Sequence, residues 1–282
     1  MYEVKPEQSV ELLKELHILT RDGKMNQDSR RKLKQIYHLY QFIEPLLLDI
    51  QQRHADINLV DHGAGKSYLG FILYDLFFKA LNNASHIYGI ETREDLVTKS
   101  RELSSRLNFQ RMSFFNLTVA ASIESAQLPQ NIDIVTALHA CNTATDDAIH
   151  FALKKKARYI VLVPCCQAEV AAVLKKNKST ELKNNVLVEL WRHPIHTREF
   201  GSHVTNVLRC LQLESHGYQV TVTELVGWEH SMKNELIVAS YQNLPRERPA
   251  ARLRELLKTL GLEEMNDRFF TVIDHLQLAG SN

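Results

Sequence analysis

The stretch INLVDHGAGKSYL, residues 57–69, decides the fold. Its first half is a short apolar run closing on Asp61 and His62; Gly63 and Gly65 then bracket Ala64 in a turn. Beyond them Leu69, Ile72, Leu73, Leu76 and Phe77 recur at helical spacing, so the segment reads as strand, glycine turn, helix. Two phosphate-binding readings of the turn fail on spacing. A Walker A loop needs a glycine five positions before Gly65, where Val60 stands, and a dinucleotide fingerprint needs its third glycine at position 68, which is Tyr68.

Outward from this unit the same alternation repeats. Strands are predicted at 86–91, 112–116, 132–140 and 159–166, with helices between them. After a helix near 168–174 and a longer one over 204–216 come two more strands, 218–226 and 234–240, with no helix between them. Such β-α alternation predicts an α/β fold, a Rossmann-like seven-stranded mostly parallel sheet with helices on both faces and a final antiparallel hairpin. Thr143 and Asp146 have the spacing of a capping box opening the helix after the fourth strand. The resulting division is a helical N-terminal region, 1–56, an α/β domain, 57–242, and a C-terminal helical tail, 243–282. In the first region Ile36, Tyr40, Ile43, Leu47 and Ile50 follow helical spacing, and Pro45 predicts a kink or break near Glu44.

The chain has 282 residues, 44% hydrophobic and 24% charged, with only 10 Gly, which excludes disorder and collagen-like repeats. No apolar run reaches the roughly 18 residues of a membrane span, and the first residues lack a signal-peptide core, so a soluble cytoplasmic protein is expected. The four cysteines, with no C-x-x-C spacing, predict reduced thiols and no metal site. Net charge is +1, but it is unevenly placed. Residues 21–34 carry six basic and two acidic side chains, and residues 245–258 carry five and two.

The acid-x-Gly-x-Gly turn has a chemistry of its own. Glycines let the main chain approach a ligand, a helix N-terminus suits a carboxylate, and Asp61 can take an ammonium. Glu91, at the end of the second strand, is placed to accept the two hydroxyls of a ribose. An amino acid joined to a nucleoside is S-adenosylmethionine.

DHGAGKSYL, IYGIE, DIVTALHACNTATDDAI and VLVPCCQ resemble class I S-adenosylmethionine-dependent methyltransferases across 57–242. The segment H-x-C-x-x-A-T-D after the fourth strand, with Cys-Cys after the fifth, is similar to the branch holding the eukaryotic tRNA acceptor-stem ribose methyltransferases and related methyltransferase-domain proteins. The resemblance implies that Asp61, Gly63, Ala64, Gly65, Tyr68 and Glu91 bind the cofactor. It implies that Asn116, or Leu117 by spacing, lies near the adenine, and that His139, Cys141, Thr143 and Asp146 lie beside the methyl. His139 then has two readings, a general base for a hydroxyl nucleophile or a residue that holds the loop and touches the cofactor. Cys165 and Cys166 have two as well, a thiolate adding to a pyrimidine or small buried hydrophobes. The segment lacks the Asn/Asp-Pro-Pro-aromatic pattern of exocyclic-amine methyltransferases.

Substrate contacts are expected from three places. His196 and Arg198 lie in a His-rich stretch, 192–203. Trp228, Glu229 and Lys233 lie in the loop before the last strand, where an aromatic would stack on a base and a lysine would meet phosphate, or where a hairpin simply packs its Trp. Arg30, Arg31, Lys32 and Lys34 of the first basic stretch, with His38 one turn later, are read either as an RNA contact over the cofactor mouth or as a solvated helix face. The expected partner is RNA, tRNA or rRNA. A small-molecule or protein methyltransferase, and a non-catalytic scaffold on the same fold, are the alternatives.

Overall fold

The computed structural model describes residues 4–5, 7–138, 143–164, 167–177, 186–225 and 235–270. Seven strands form one sheet: β1 (Asn58–His62), β2 (His86–Glu91), β3 (Met112–Asn116), β4 (Ile134–Leu138), β5 (Tyr159–Val163), β6 (Tyr218–Glu224) and β7 (Glu235–Tyr241). Their order is β3-β2-β1-β4-β5-β7-β6. The first five strands pair in parallel, while β7 runs antiparallel to both β5 and β6. This is the Rossmann-like mixed sheet the sequence predicts, and its logic is visible in burial. β5, all β-branched or aromatic apart from one Leu, is buried at every position, as a strand covered on both faces must be; β6, at the edge, is mostly exposed.

Ten helices accompany the sheet: α1 (Val10–Glu15), α2 (Gln27–Arg53), α3 (Tyr68–Leu76), α4 (Glu94–Arg106), α5 (Val119–Glu124), α6 (Thr143–Lys154), α7 (Glu169–Asn177), α8 (Pro194–Ser215), α9 (Glu247–Thr259) and α10 (Asn266–Phe269) among the described residues. Alternate strand residues face opposite layers. Leu59, Ile87, Ile134, Val161 and Leu236 pack with α1 to α4, whereas Val60, Ile90, Val135, Ile160 and Ile237 pack with α6 and the end of α8. A third cluster joins α7, α8, α9 and α10 through Leu174, Trp191, Leu208, Leu257 and Phe269.

Three local expectations change. The first long helix starts at Gln27, capped by the Asn26 side chain on the Ser29 N–H, and runs unbroken through Pro45 to Arg53; Pro45 is exposed, so its ring displaces no packed neighbour. The His-rich stretch is the opening of α8, ten residues earlier than the apolar spacing indicates, with Pro194 in its first turn. Asp146 does not serve a capping box. Its carboxylate accepts from Arg209 Nε at 2.7 Å and Nη2 at 2.9 Å, and from Arg268, a charged partnership stronger than a backbone N–H offers.

Candidate active site

The β1–α3 turn carries three residues in the left-handed region, Gly63 (φ 66°), Gly65 (φ 57°) and Ser67 (φ 50°). Glycine accepts that backbone without a Cβ penalty. Ser67 does so at a cost, and its fully buried hydroxyl donates to Asp61 Oδ2 at 3.2 Å. A Cβ on Gly70 would stand 2.5 Å from that hydroxyl, so Gly70 is what allows the serine in. Neither residue is a site candidate from sequence; the only signal is a small residue one helical turn after Ser67. The turn is also tied to β2, because the Ala64 N–H donates to the Ile90 carbonyl at 3.0 Å and the Gly65 N–H to Glu91 Oε2 at 2.8 Å.

Asp61 is 2% exposed. Burial pushes its carboxyl up to about 6, against the hydrogen bonds of Thr136, Ser67 and the Gly70 N–H that favour the charge. Thr136 Oγ1, opposite Asp61 on β4, donates to Oδ1 at 2.9 Å. All three partners are neutral donors. A carboxylate desolvated without a counter-charge favours a ligand that brings a cation.

Glu91 is used differently from the expectation. Its Oε1 accepts from the N–H groups of Thr92 at 2.9 Å and Arg93 at 3.0 Å, and from the side chains of both. Among the described residues Oε2 accepts only from Gly65. Burial works to raise its pKa, but the Arg93 and Gly65 hydrogen bonds and the Arg93 charge outweigh it and hold Glu91 below the usual carboxylate range. Glu91 thus clamps the β1 turn to the end of β2, and Oε2 keeps one lone pair for a hydroxyl. Asn116 Nδ2 and the Leu117 N–H both donate to the Glu91 carbonyl, at 3.2 and 3.3 Å.

Above the turn lies a cavity of about 440 Å³, lined by Asp61, Gly63, Ala64, Gly65, Lys66, Tyr68, Leu69, Ile72, Arg93 and Leu138, by Leu225, and by Leu16, Ile18, Lys32, Gln35, Ile36 and Leu39 of the N-terminal region. That is an ordinary small-ligand volume. A buried acid with no counter-charge at its floor, a glycine turn beside it and a free carboxylate lone pair next door fit S-adenosylmethionine: an ammonium on Asp61, a carboxylate at the α3 N-terminus, a hydroxyl on Glu91.

His62 leaves β1 on the other side. It is 5% exposed, packs against Phe151 with ring centroids 5.4 Å apart and planes tilted by 41°, and neither ring nitrogen has a hydrogen-bond partner among the described residues. Burial pushes the imidazole down to about 4, against the pull of the Glu91 charge.

The remaining candidates are dispersed. Lys32 faces the cavity, but Lys34 and His38 lie on other faces of α2, Lys34 exposed and His38 against Phe42. His196 and Arg198 are exposed on α8, Arg198 paired with Glu199 at 2.8 Å, and neither lines the cavity. His139, Cys141, Cys165, Cys166, Trp228, Glu229 and Lys233 lie outside the described residues. Among the described residues no His, Cys, Asp and Glu group could hold a metal, and no helix is long and apolar enough to cross a membrane.

A family profile described as a methyltransferase domain matches residues 31–173, from within α2 to α7 and about half the chain. A glutathione S-transferase C-terminal domain-containing protein of Bos taurus is 24% identical over 236 residues, 77% of this chain and 34% of that protein; the Homo sapiens protein of the same description is 25% identical over the same span. The chain therefore spans about a third of the length of the curated relatives it matches. Among solved structures, the magnesium protoporphyrin IX methyltransferase of Synechocystis with bound SAH is 16% identical with a TM-score of 0.46, covering 83% of this chain and 96% of that one. Aeropyrum pernix fibrillarin, in complex with S-adenosyl-L-methionine, is 11% identical with a TM-score of 0.39, covering 65% and 66%.

Proposed function

Because this chain belongs to the methyltransferase domain family, whose cofactor is S-adenosylmethionine, we propose that it methylates RNA, at a ribose hydroxyl or a base atom. The observation that carries the cofactor half of this reading is Asp61, a buried carboxylate whose hydrogen-bond partners are all neutral, at the floor of a cavity beside a glycine turn. The bound cofactor supplies a sulfonium methyl open to in-line displacement. The protein's part is alignment and exclusion of water. Asp61 takes the ammonium, Gly63, Ala64 and Gly65 bring the main chain close, Tyr68 forms part of the wall, and Glu91 Oε2 accepts a hydroxyl, with Asn116 and Leu117 beside the adenine.

For the acceptor, Lys32, Lys66 and Arg93 border the same cavity, and a cationic mouth suits a polyanion. Lys32 belongs to the basic stretch 21–34, and the resemblance of the H-x-C-x-x-A-T-D segment to tRNA ribose methyltransferases points the same way. His139 would take the proton of a hydroxyl acceptor, and Cys165 or Cys166 would matter only if the acceptor is a pyrimidine carbon. Incubation with methyl-labelled cofactor and separate RNA, protein and metabolite fractions tests the proposal, with nucleoside mass spectrometry of the labelled RNA. Label in RNA as a 2′-O-methylnucleoside, lost in His139→Ala and kept in Cys165→Ala and Cys166→Ala, is expected for ribose chemistry. Label confined to protein or metabolites overturns the RNA assignment, and none in any fraction overturns the enzyme.

A further inference from the structure

We propose that a basic groove at the end of the sheet opposite the cofactor cavity is a second contact for the phosphodiester backbone of RNA, an assignment that rests on the RNA reading above. β1, β4 and β5 run parallel, so the segments that enter them, 54–58, 130–133 and 154–158, meet at one end of the sheet while the cofactor turn lies at the other. With the end of α5 they enclose a groove of about 910 Å³. That is about twice the 440 Å³ of the cofactor cavity, and more room than one phosphate fills. β1 is five residues long, about 17 Å at ordinary strand rise, so the groove and the cavity hold different parts of any ligand that reaches both.

The charge of the groove comes from Lys154, which closes α6, from Lys155 and Lys156 directly after it, and from Arg158 before β5. Arg158 is engaged in the framework: its Nε donates to Asp49 Oδ2 at 3.1 Å, and its guanidinium lies 5.3 Å from the centroid of the Tyr159 ring. Two of the three carboxylates in the lining are also engaged. Asp133 accepts from the Asn58 N–H at 2.8 Å and lies 2.9 Å from His54 Nε2, and Asp56 accepts from the Ala84 N–H at 2.9 Å. The third, Glu124, is exposed. None of the three lysines is ion-paired among the described residues. Three ammonium groups therefore face one exposed carboxylate.

A helix C-terminus attracts cations, and a lysine there can cap the last carbonyls. Here the main chain already does so. The N–H groups of Lys155, Lys156 and Ala157 donate to the carbonyls of Phe151, Leu153 and Ala152 at 2.9, 3.2 and 2.9 Å. Lys156 also holds the left-handed position that ends the helix, at φ 52°, where glycine or asparagine is the ordinary choice. An exposed lysine there costs stability, and the fold receives no side-chain contact in return. The lysines thus serve something outside the fold. The lining holds no Phe, Tyr or Trp on which a base could stack, and lysine acts on phosphate as a point charge without reading sequence. The backbone, not the bases, is what the groove fits.

The test uses the full chain and a fluorescein-labelled, mixed-sequence oligoribonucleotide, with Kd read by anisotropy from 50 to 200 mM salt. Transfer of label from methyl-labelled cofactor to total RNA gives apparent kcat and KM. Lys154→Gln with Lys155→Gln and Lys156→Gln should raise Kd at least tenfold at the lowest salt and flatten its logarithmic salt dependence by roughly two units of slope. KM should rise with Kd while kcat stays within threefold. Arg248→Gln with Arg252→Gln and Lys258→Gln removes the same charge from exposed positions of α9 and should change Kd less than threefold. Lys156→Gly separates binding from folding, since glycine suits the left-handed backbone: the urea midpoint should rise while RNA binds about threefold more weakly. This variant decides the matter if the triple variant does not fold.

A folded triple variant with unchanged Kd and slope overturns the proposal, as does a loss no larger than that of the α9 variant, which would report net charge alone. Binding of tripolyphosphate or polyglutamate without binding of RNA would make the groove a site for small anions or acidic protein and overturn it as well. If RNA is methylated and the lysine variants are silent, the groove fails and the RNA reading stands. If RNA binds through these lysines but label enters only protein or metabolites, the methyl-acceptor reading fails and the groove is upheld as an RNA contact.

Discussion

Asp61 and His62 are neighbours on β1, yet their side chains leave opposite faces of the sheet and answer pH in opposite directions. The folded protein holds the Asp61 proton up to about pH 6, above the usual carboxylate value near 4. Its contribution to stability is present at low pH and lost as pH rises through 6. His62 is held neutral down to about pH 4, so its contribution is present above about 6.5 and lost as pH falls. Each term is on the order of 3 kcal/mol from the usual value per pH unit, and between pH 4 and 6 they offset one another. The expected result is that His62→Leu melts at progressively higher temperature as pH falls from 6 to 4, while Asp61→Asn melts lower, in scans at pH 7, 6, 5 and 4. At pH 7, where both buried nitrogens of wild-type His62 lack a partner among the described residues, His62→Leu should add about 1–3 kcal/mol; a loss of stability would mean the imidazole has an unrecognised role. If Asp61 takes the cofactor's ammonium as proposed, cofactor affinity should weaken toward tenfold per pH unit below 6 and lose that dependence in Asp61→Asn, by calorimetry. The acid and the two glycines were readable because the motif is local. Ser67, Gly70 and the clamping role of Glu91 were not, since each depends on a neighbour across the turn or the next strand.

Among the elements, α2 shows how much burial can override. Pro45 removes a helical N–H, but Ile43, Leu47 and Ile50 on the same helix are fully buried against the sheet, and packing holds the helix through the proline. Pro45→Ala, at this exposed site, should raise stability by about 1–3 kcal/mol in urea unfolding, since the proline cost is relieved and no contact is lost. The short α1 is fastened by Asp75 of α3, which accepts the Ser9 N–H at 3.0 Å and Lys79 Nζ at 2.7 Å, and by Arg106 of α4, which pairs with Glu15 at 2.7 Å. That fastening sets Leu16 and Ile18 into the cavity wall. Asp75→Ala should therefore speed cofactor dissociation at least threefold in stopped flow, although Asp75 is not part of that cavity's lining; an unchanged rate would detach α1 from cofactor retention. Periodicity located the strands and most helices. It missed the start of α2, where only Leu33 among residues 27–34 is apolar, and the first ten residues of α8, where polar side chains face solvent and no stripe exists to be read.

For the molecule as a whole, near-neutral charge hides a division in space. The basic stretch 21–34 runs into α2 on the face of the sheet that holds the cavity wall, whereas 245–258 is α9, stacked on α8 in a separate cluster. The two stretches thus pack into different apolar clusters, which the sequence alone could not tell because it orders charges along the chain only. If RNA is the substrate, Arg30→Glu with Arg31→Glu and Lys32→Glu should weaken its binding and flatten the salt dependence of the affinity by up to roughly one unit of slope per lost phosphate contact. Arg248→Glu with Arg252→Glu should change neither, in filter binding from 50 to 200 mM salt; equal effects would place RNA across both faces. The cavity wall also has a history in synthesis. Leu47 of α2 packs in the same cluster as Leu236 of β7, which a ribosome adds ~190 residues later, an interval on the order of 10 to 40 seconds at ordinary elongation rates. Through that interval α1 and α2 wait without the last strands that complete their core, so the cavity, whose wall includes Leu225, is among the last features of the chain to take shape.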